Sequence, residues 1–524
     1  MRISKILGLA ALVLSVQACT NNGIAGEKAK DYELVIAHVN DVHGRAMEGK
    51  NDGMGYSRVA TLVENLKKDS ANKNVIFLDA GDSLHGTNFA TLERGDSIAK
   101  ILDKMDLVAM APGNHDFNYG QERLREIDNN TKFQVLAANV FNQEGKYLTK
   151  PHMIKEIEGV KVGILGLATP ETLYKTNPNN VKGLIFENPV AATERAVGEL
   201  KAMGAQYIIV LSHLGDDEST EPGLRSDAVA HVKGVDLIID GHSHTLLKEK
   251  KMVNGVPIVQ TGEYNKNLGV IKIDFDDMKK GLDPVTYELI LKETALGKKG
   301  EDGKVVGGVE ENKEIKEFIE GIKDKQKAIT EVVIGKTGVK LEGDRDLVRT
   351  GETNLSNLIT DAMVWKSGAD MSLTNGGGIR ASINAGDITV GDVVTVLPFG
   401  NYVVTKELTG ADIKAALEHG FKDTPKSAGS QAQVGGITLN LDTTKPAGER
   451  VSNIRFKNGK KFTLTGKYVV ATNDFMAVGG DSYAMFKGKK EIANYPGLDE
   501  VVIEYIREKG ITAQKADGRV KTKK

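Results

Sequence analysis

Five short clusters hold the side chains best suited to chemistry: Asp41-Val42-His43, Gly81-Asp82, Gly113-Asn114-His115-Asp116, His213 and Gly241-His242-Ser243-His244. Imidazole together with carboxylate is a donor set for zinc, manganese or iron. One carboxylate can bridge two cations about 3.5–4 Å apart, a pair that activates water and stabilises both oxygens of a phosphoryl displacement. The glycines before Asp82, Asn114 and His242 let the backbone turn sharply and bring the side chains to one point. Any one cluster alone reads as a turn at a strand end. All five in this order and register are not explained that way.

The elements that must position these clusters follow from hydrophobic periodicity. Residues 33–40, 74–79 and 206–212 read as buried strands, and Asp41, Asp82 and His213 fall at or just after their carboxyl ends. In α/β sheets that is where ligands bind. Further strands are expected at 133–138, 160–167, 235–240 and 256–260, with helices at 57–68 and 190–203. Alternation of continuous apolar strands with helices predicts an α/β sheet covered on both faces. His38 lies inside an apolar strand and reads as core; His85 is close enough to Asp82 to support it. His152, His231 and His419 lack motif context, and Asp116 reads as a local orienting residue.

After Asp283 the pattern changes. Residues 297–308 read as a loop. Residues 310–330 read as a charged helix with Ile315, Phe318, Ile319 and Ile322 on one stripe, a linker between domains. From Val332 a mixed α+β region is predicted, with helices at 354–367 and 410–420 and strands near 402–407, 434–441 and 467–472. A glycine turn at 375–378 is flanked by Asn375 and Arg380, a setting for anion recognition. Phe399 and Phe475 each sit in a glycine-bearing turn, Phe475 six residues before Asp481. Two such rings can sandwich a base, at ~1–3 kcal/mol per base.

The pattern D-x-H … G-D … G-N-H-[DE] … H … G-H-x-H resembles the dinuclear metallophosphoesterase family, and the N-terminal half resembles its calcineurin-like domain. The C-terminal motifs resemble the C-terminal domain of the 5'-nucleotidase family, so the resemblance spans about residues 33–510. It implies an α/β fold: a four-layer metallophosphoesterase sandwich joined by a linker helix to a mixed α+β substrate-binding domain. It implies two divalent metal ions, Zn, Mn, Co or similar. Asp41, His43 and His244 would hold one, Asn114, His213 and His242 the other, and Asp82 would bridge them. His115 would stabilise the phosphate charge or protonate the leaving oxygen, oriented by Asn118. Arg349 and Arg380 would meet the terminal phosphate. Phe399 and Phe475 would stack on the base, Asp481 would bind the ribose, Asn375 and Asn401 the nucleoside, and Gly436 the base side. The implied reaction is release of phosphate from nucleoside 5'-monophosphates, and in bacterial members hydrolysis of UDP-sugars, by attack of a metal-activated hydroxide.

One position departs from the pattern. Family members commonly carry Asp where this chain has Asn118, which can accept a hydrogen bond from the imidazole but cannot supply charge. The run Asn118-Tyr119-Gly120 resembles periplasmic 2',3'-cyclic-nucleotide phosphodiesterases, which also act as 3'-nucleotidases, so that activity is the alternative. A catalytically silent nucleotide-binding surface lipoprotein is a third.

Composition bounds the rest. The chain has 524 residues, 69 Lys+Arg against 71 Asp+Glu, and 40% hydrophobic residues, which suits a globular protein of two to three domains. A net charge of -2 gives no support to a nucleic-acid polymer as partner. Cys19 is the single cysteine and follows a short apolar run from Ile6 to Val16 preceded by Arg2 and Lys5. That is an export signal rather than a span, and Val16-Gln17-Ala18-Cys19 resembles a lipobox. The expected organisation is a signal peptide (1–18), a tether from a lipidated Cys19 to residue 32, the phosphoesterase domain (33–295), a linker (296–331), the substrate-binding domain (332–515) and a solvated basic tail (516–524). The expected partners are a nucleotide and the bacterial membrane, with the body in the periplasm or at the cell surface. Oligomeric state is not readable.

Overall fold

The protein is described by a computed structural model covering residues 32–49, 52–176, 178–218, 220–299, 305–511 and 515–523. The expected signal peptide, Cys19 and the tether up to residue 31 lie outside the described residues, and Tyr32, where the tether was expected to end, bridges to Asn72. No helix among the described residues is long and apolar enough to cross a membrane.

Two six-stranded sheets form the N-terminal half. One runs Val285–Leu291, Asn267–Ile273, Leu34–Val39, Val75–Asp79, Leu107–Met110 and Gln134–Val135; the other runs Lys251–Val253, Val256–Val259, Leu237–Ile239, Tyr207–His213, Val160–Ala168 and His152–Ile157. The strands that carry site motifs are parallel neighbours: Leu34–Val39 pairs with Val75–Asp79, and Tyr207–His213 with Val160–Ala168 and Leu237–Ile239. Strand alternation sorts their side chains. Leu34, Ile36, Ile76, Leu78, Ile209 and Leu211 meet in a core between the sheets. Val39 and Phe77 face the helices Gly55–Lys68 and Asp96–Lys104, while Ile208 and Val210 face the helix Pro189–Ala202. The result is the helix–sheet–sheet–helix order expected from the sequence, each buried Ile or Leu contributing about 1.5–3 kcal/mol. His38 is in the inter-sheet layer, fully buried and stacked on Tyr287.

The helix Lys313–Thr330 packs Ile315, Ile319 and Ile322 into the N-terminal core. From Val333 onward a five-stranded sheet, Ala432–Gly435, Met371–Asn375, Lys467–Asn473, Tyr402–Thr409 and Glu491–Gly497, carries two cores of its own. Thr353, Thr389 and Thr409 start helices through capping boxes with Ser356, Asp392 and Asp412. The C-terminal end corrects the expected solvated tail. Val520–Lys523 is a strand paired in parallel with Ile437–Asp442. Arg519 anchors it, only 2% exposed, with its guanidinium on Asp361 at 2.9 Å through two nitrogens and on Asp517. A buried cation tied to two carboxylates cannot trail in solvent.

Candidate metal centre

The strand Leu34–Val39 ends in a turn carrying Asp41 and His43, and Val75–Asp79 ends in one carrying Asp82. Asp41, His43, Asp82, His242 and His244 all adopt left-handed backbone, with φ of 53°, 49°, 57°, 80° and 54°. Non-glycine residues there cost free energy, and such strain concentrates at functional sites. The neighbouring glycines leave no room for a side chain. A Cβ on Gly113 would meet Asp82 Oδ1 at 2.1 Å, and one on Gly241 would meet His213 Nδ1 at 2.9 Å.

These turns bring seven predicted residues together. Asp41, His43 and His244 form one cluster of donor atoms, and Asp82, His213 and His242 another, the atoms within each lying within 4.8 Å of one another. Asp82 also groups with His43 and His115, so it stands between the two clusters. His213 Nε2 is 3.1 Å and His43 Nε2 3.9 Å from Asp82 Oδ2. His244 Nε2 lies 3.3 Å from Asp41 Oδ1 and 3.2 Å from His43 Nε2.

The donor chemistry fits divalent cations. His213 Nδ1 is bonded to the carbonyl of Ala80 at 2.7 Å, and His244 Nδ1 to Glu263 Oε2 at 2.7 Å, which leaves each Nε2 for the cluster. His242 Nε2 is bonded to Glu171 Oε2 at 2.7 Å, which leaves Nδ1. Asn114 donates Nδ2 to the carbonyl of Lys175 at 3.0 Å, while its buried Oδ1 accepts no hydrogen bond among the described residues. Outer partners of this kind fix ligand orientation. Burial opposes charge on His213 and His244, yet the facing carboxylates, Asp82 and Asp41 for the first, Asp41 and Glu263 for the second, raise both to about 10. Burial pushes Asp82 up, but His213, His115 and His43 outweigh it and hold its carboxyl well below the usual range. Asp116 accepts the backbone N–H groups of Gly113, Asp82 and Leu84, fixing both turns.

His115 sits at the edge of the centre, its N–H on Asp82 Oδ1 at 2.7 Å. Asn118 does bond its ring, but with the opposite polarity to that expected. With Asn118 oriented so that Oδ1 accepts from Thr176 Oγ1 at 2.7 Å, its Nδ2 donates to His115 Nδ1 at 3.0 Å. His115 Nδ1 is therefore the acceptor, and its proton is on Nε2. Burial, joined by His213, His242 and His244 against the opposing Asp82, lowers His115 to about 4. His85, fully buried, stacks on His115 at 5.8 Å.

The C-terminal unit supplies a second constellation. Phe399 and Phe475 are 45% and 44% exposed, large apolar rings left open in glycine turns. Phe399 and Asn401 line a hollow with Thr374, Ile379 and Asn473. Asn375 Nδ2 bonds Asp481 Oδ2 at 2.7 Å, Asn401 bonds Asp474, and the Arg380 guanidinium lies 5.5 Å from the Phe399 ring. Arg380 and Arg345 both face Arg349; Arg345 was missed because nothing in Asp344-Arg345-Asp346 marks it. His419 also gains a place here, bonded to the backbone of Asp481 at 2.8 Å. Gly436 is a correction. It lines a separate hollow with Trp365 and Lys457, because Asn375 pairs with Ala432 whereas Gly435 lies opposite Ser372, at the other end of the ladder. The glycine at the Asn375 end is Gly429, whose carbonyl accepts the N–H of Gly377 and whose position faces Asp481.

The two constellations meet. Tyr402 packs its ring 4.3 Å from that of His115, and a Cβ on Gly400 would meet the carbonyl oxygen of Gly86 at 1.9 Å.

Residues 34–246 match the calcineurin-like phosphoesterase family and residues 333–488 the 5'-nucleotidase C-terminal domain. The chain is 31% identical to a 5'-nucleotidase of Vibrio cholerae over 95% of this chain and 94% of that one. It is also 31% identical to the trifunctional nucleotide phosphoesterase protein YfkN of Bacillus subtilis, covering 94% of this chain but 35% of that longer protein. The solved 5'-nucleotidase precursor of Thermus thermophilus superposes with a TM-score of 0.53 at 31% identity, over 93% of this chain and 99% of that one. The protein is thus a phosphoric-ester hydrolase, and it belongs to the 5'-nucleotidase family, with a metallophosphoesterase domain and a 5'-nucleotidase C-terminal domain in one chain.

Proposed function

We propose that the protein is an exported, lipid-anchored 5'-nucleotidase that removes phosphate from nucleoside 5'-monophosphates using two divalent ions. The observation that carries this reading is the pairing of two ligand clusters joined at Asp82 with the exposed rings of Phe399 and Phe475 and their polar neighbours across the interface. Asp41, His43 and His244 would hold one ion, Asn114, His213 and His242 the other, with Asp82 between them. When bound, such ions neutralise phosphate charge and supply a nucleophile from water at neutral pH. The chain's own residues do the rest. His115 presents Nε2–H to the phosphate or leaving oxygen, held there by Asn118. Arg349 and Arg380 draw the phosphate, Phe399 and Phe475 stack on the base, and Asp481, Asn375 and Asn401 take the ribose and the nucleoside edge.

A second reading rests on Asn118. The run Asn118-Tyr119-Gly120 resembles that of periplasmic 2',3'-cyclic-nucleotide phosphodiesterases, and YfkN is named for more than one phosphoesterase activity. Purified protein assayed with Mn²⁺ on AMP, 3'-AMP, 2',3'-cyclic AMP and UDP-glucose separates the two. AMP should be turned over fastest, and Asp82→Asn should lower the rate by at least about 10³-fold while preserving the fold. Preference for the cyclic substrate would replace the first reading with the second.

Export and anchoring rest on the N-terminal segment. Cys19→Ser should move the protein from the membrane to the soluble fraction, whereas unchanged membrane association would remove the anchor.

A further inference from the structure

Three residues of the centre, Asn114, Asn118 and His242, come from two distant loops yet lean on one short segment, Glu171 to Thr176. Its helical turn is Thr172–Lys175. Glu171 is buried, 3% exposed, and its Oε2 accepts from His242 Nε2 at 2.7 Å. Lys175 Nζ lies 3.2 Å from the same oxygen. The carbonyl of Lys175 accepts Asn114 Nδ2, and the hydroxyl of Thr176 sets Asn118. The turn thereby frees His242 Nδ1 and Asn114 Oδ1 and dictates where each points.

The same turn is a seat for the C-terminal unit. The carbonyl of Lys175 accepts a second hydrogen bond at 2.7 Å, from Nδ2 of Asn494 on the strand Glu491–Gly497. Asn494 is 1% exposed. Beside it, Lys175 and Lys406 both face the half-buried carboxyl of Glu491, with Lys406 at 3.8 Å. One carbonyl oxygen therefore holds an amide of the metal centre and an amide of the other unit at once.

We propose that Glu171 and Lys175 are positioning residues that couple the second metal position to the seating of the C-terminal unit, through His242 and Asn114. Partners of ligating residues typically tune metal affinity by 10- to 100-fold. Asn494 is bonded to the turn and to none of the proposed ligands, so its substitution reads the coupling through the carbonyl of Lys175. The proposal rests on the dimetal reading, but its test uses no substrate and so fails separately from the nucleotidase assignment.

The test is calorimetric titration of the metal-free full chain with Mn²⁺. The wild type should bind two ions. Glu171→Ala should weaken one of them about 10- to 100-fold and leave the other unchanged, and Glu171→Gln, whose side-chain oxygen still accepts from His242, should recover most of the loss. Asn494→Ala should weaken the same ion about threefold to tenfold. Circular dichroism melting identifies any variant that fails to fold, and Glu171→Gln with Asn494→Ala then decides. Wild-type affinities at both positions in Glu171→Ala and Asn494→Ala, or equal weakening of both ions, would overturn the coupling.

Discussion

Asn118 decides which nitrogen of His115 carries the proton. In the orientation where its carbonyl oxygen accepts from Thr176, its amide donates to Nδ1. The neutral ring then offers Nε2–H without needing to be charged, and burial, which lowers His115 to about 4, keeps it neutral. Asn118→Asp inverts this. A carboxylate accepts from Nδ1–H and raises the pKa. Below that raised pKa the imidazolium still presents Nε2–H, whereas above it the neutral ring keeps its proton on Nδ1 and Nε2 is bare. The variant should therefore lose kcat/KM as pH rises, about tenfold per unit above its new pKa, where the wild type stays level. Superimposable pH–rate profiles for the two proteins would contradict the assignment. Most residues of the metal centre were legible in the sequence because chemistry and spacing coincide: a carboxylate or imidazole just past an apolar strand, a glycine beside it. Glu171 was not. It sits in Pro170-Glu171-Thr172, where one acid is indistinguishable from a helix-start residue, and only the fold carries it to His242.

At the scale of elements, strands with continuous apolar runs were readable, since burial on both faces leaves that trace. The strand Asn267–Ile273 and the edge strand Val285–Leu291 beside it were not expected; the second alternates buried and exposed residues outside any motif. The strand Val520–Lys523 was hidden for a different reason. Three of its four residues are Lys or Thr, and nothing local shows that Ile437–Asp442 leaves an edge beside it. What holds it is long-range, the clamp of Asp361 and Asp517 on Arg519. Gly436 was misassigned on similar grounds, because a sequence does not reveal which end of a strand faces the ligand. The clamp carries a measurable load. Arg519→Ala takes the cation from Asp361, leaves Asp517 only Lys457 at 3.2 Å, and empties a buried volume. Both carboxylates keep some solvent, Asp361 at 26% and Asp517 at 43% side-chain exposure, so the loss should be about 2–3 kcal/mol, below the 3–5 kcal/mol of a fully buried pair. Urea unfolding at neutral pH measures it, and a change under about 0.5 kcal/mol would return the tail to the surface.

Over the whole molecule, cohesion is uneven. Residues up to Ile322 pack into three cores and those from Ile334 onward into two others, while every proposed metal ligand belongs to the first half. The centre brings two buried carboxylates, five imidazoles and five left-handed turn residues into one small volume of that half. Cations bind these ligands only where the fold assembles them, so their binding should stabilise that half in particular, by RT ln(1 + [L]/Kd), or about 2.7 kcal/mol per site at a hundredfold excess over Kd. Scanning calorimetry of the chelated protein should resolve an early N-terminal transition from a later C-terminal one. Added Mn²⁺ should move the early transition upward by several degrees and the later one little. The contacts of Asn494 with Lys175 and of Tyr402 with His115 tie the halves together, so near saturation the two transitions should converge. If both moved equally from the first addition, the halves would unfold as one unit. If neither moved, these residues would not form a metal centre.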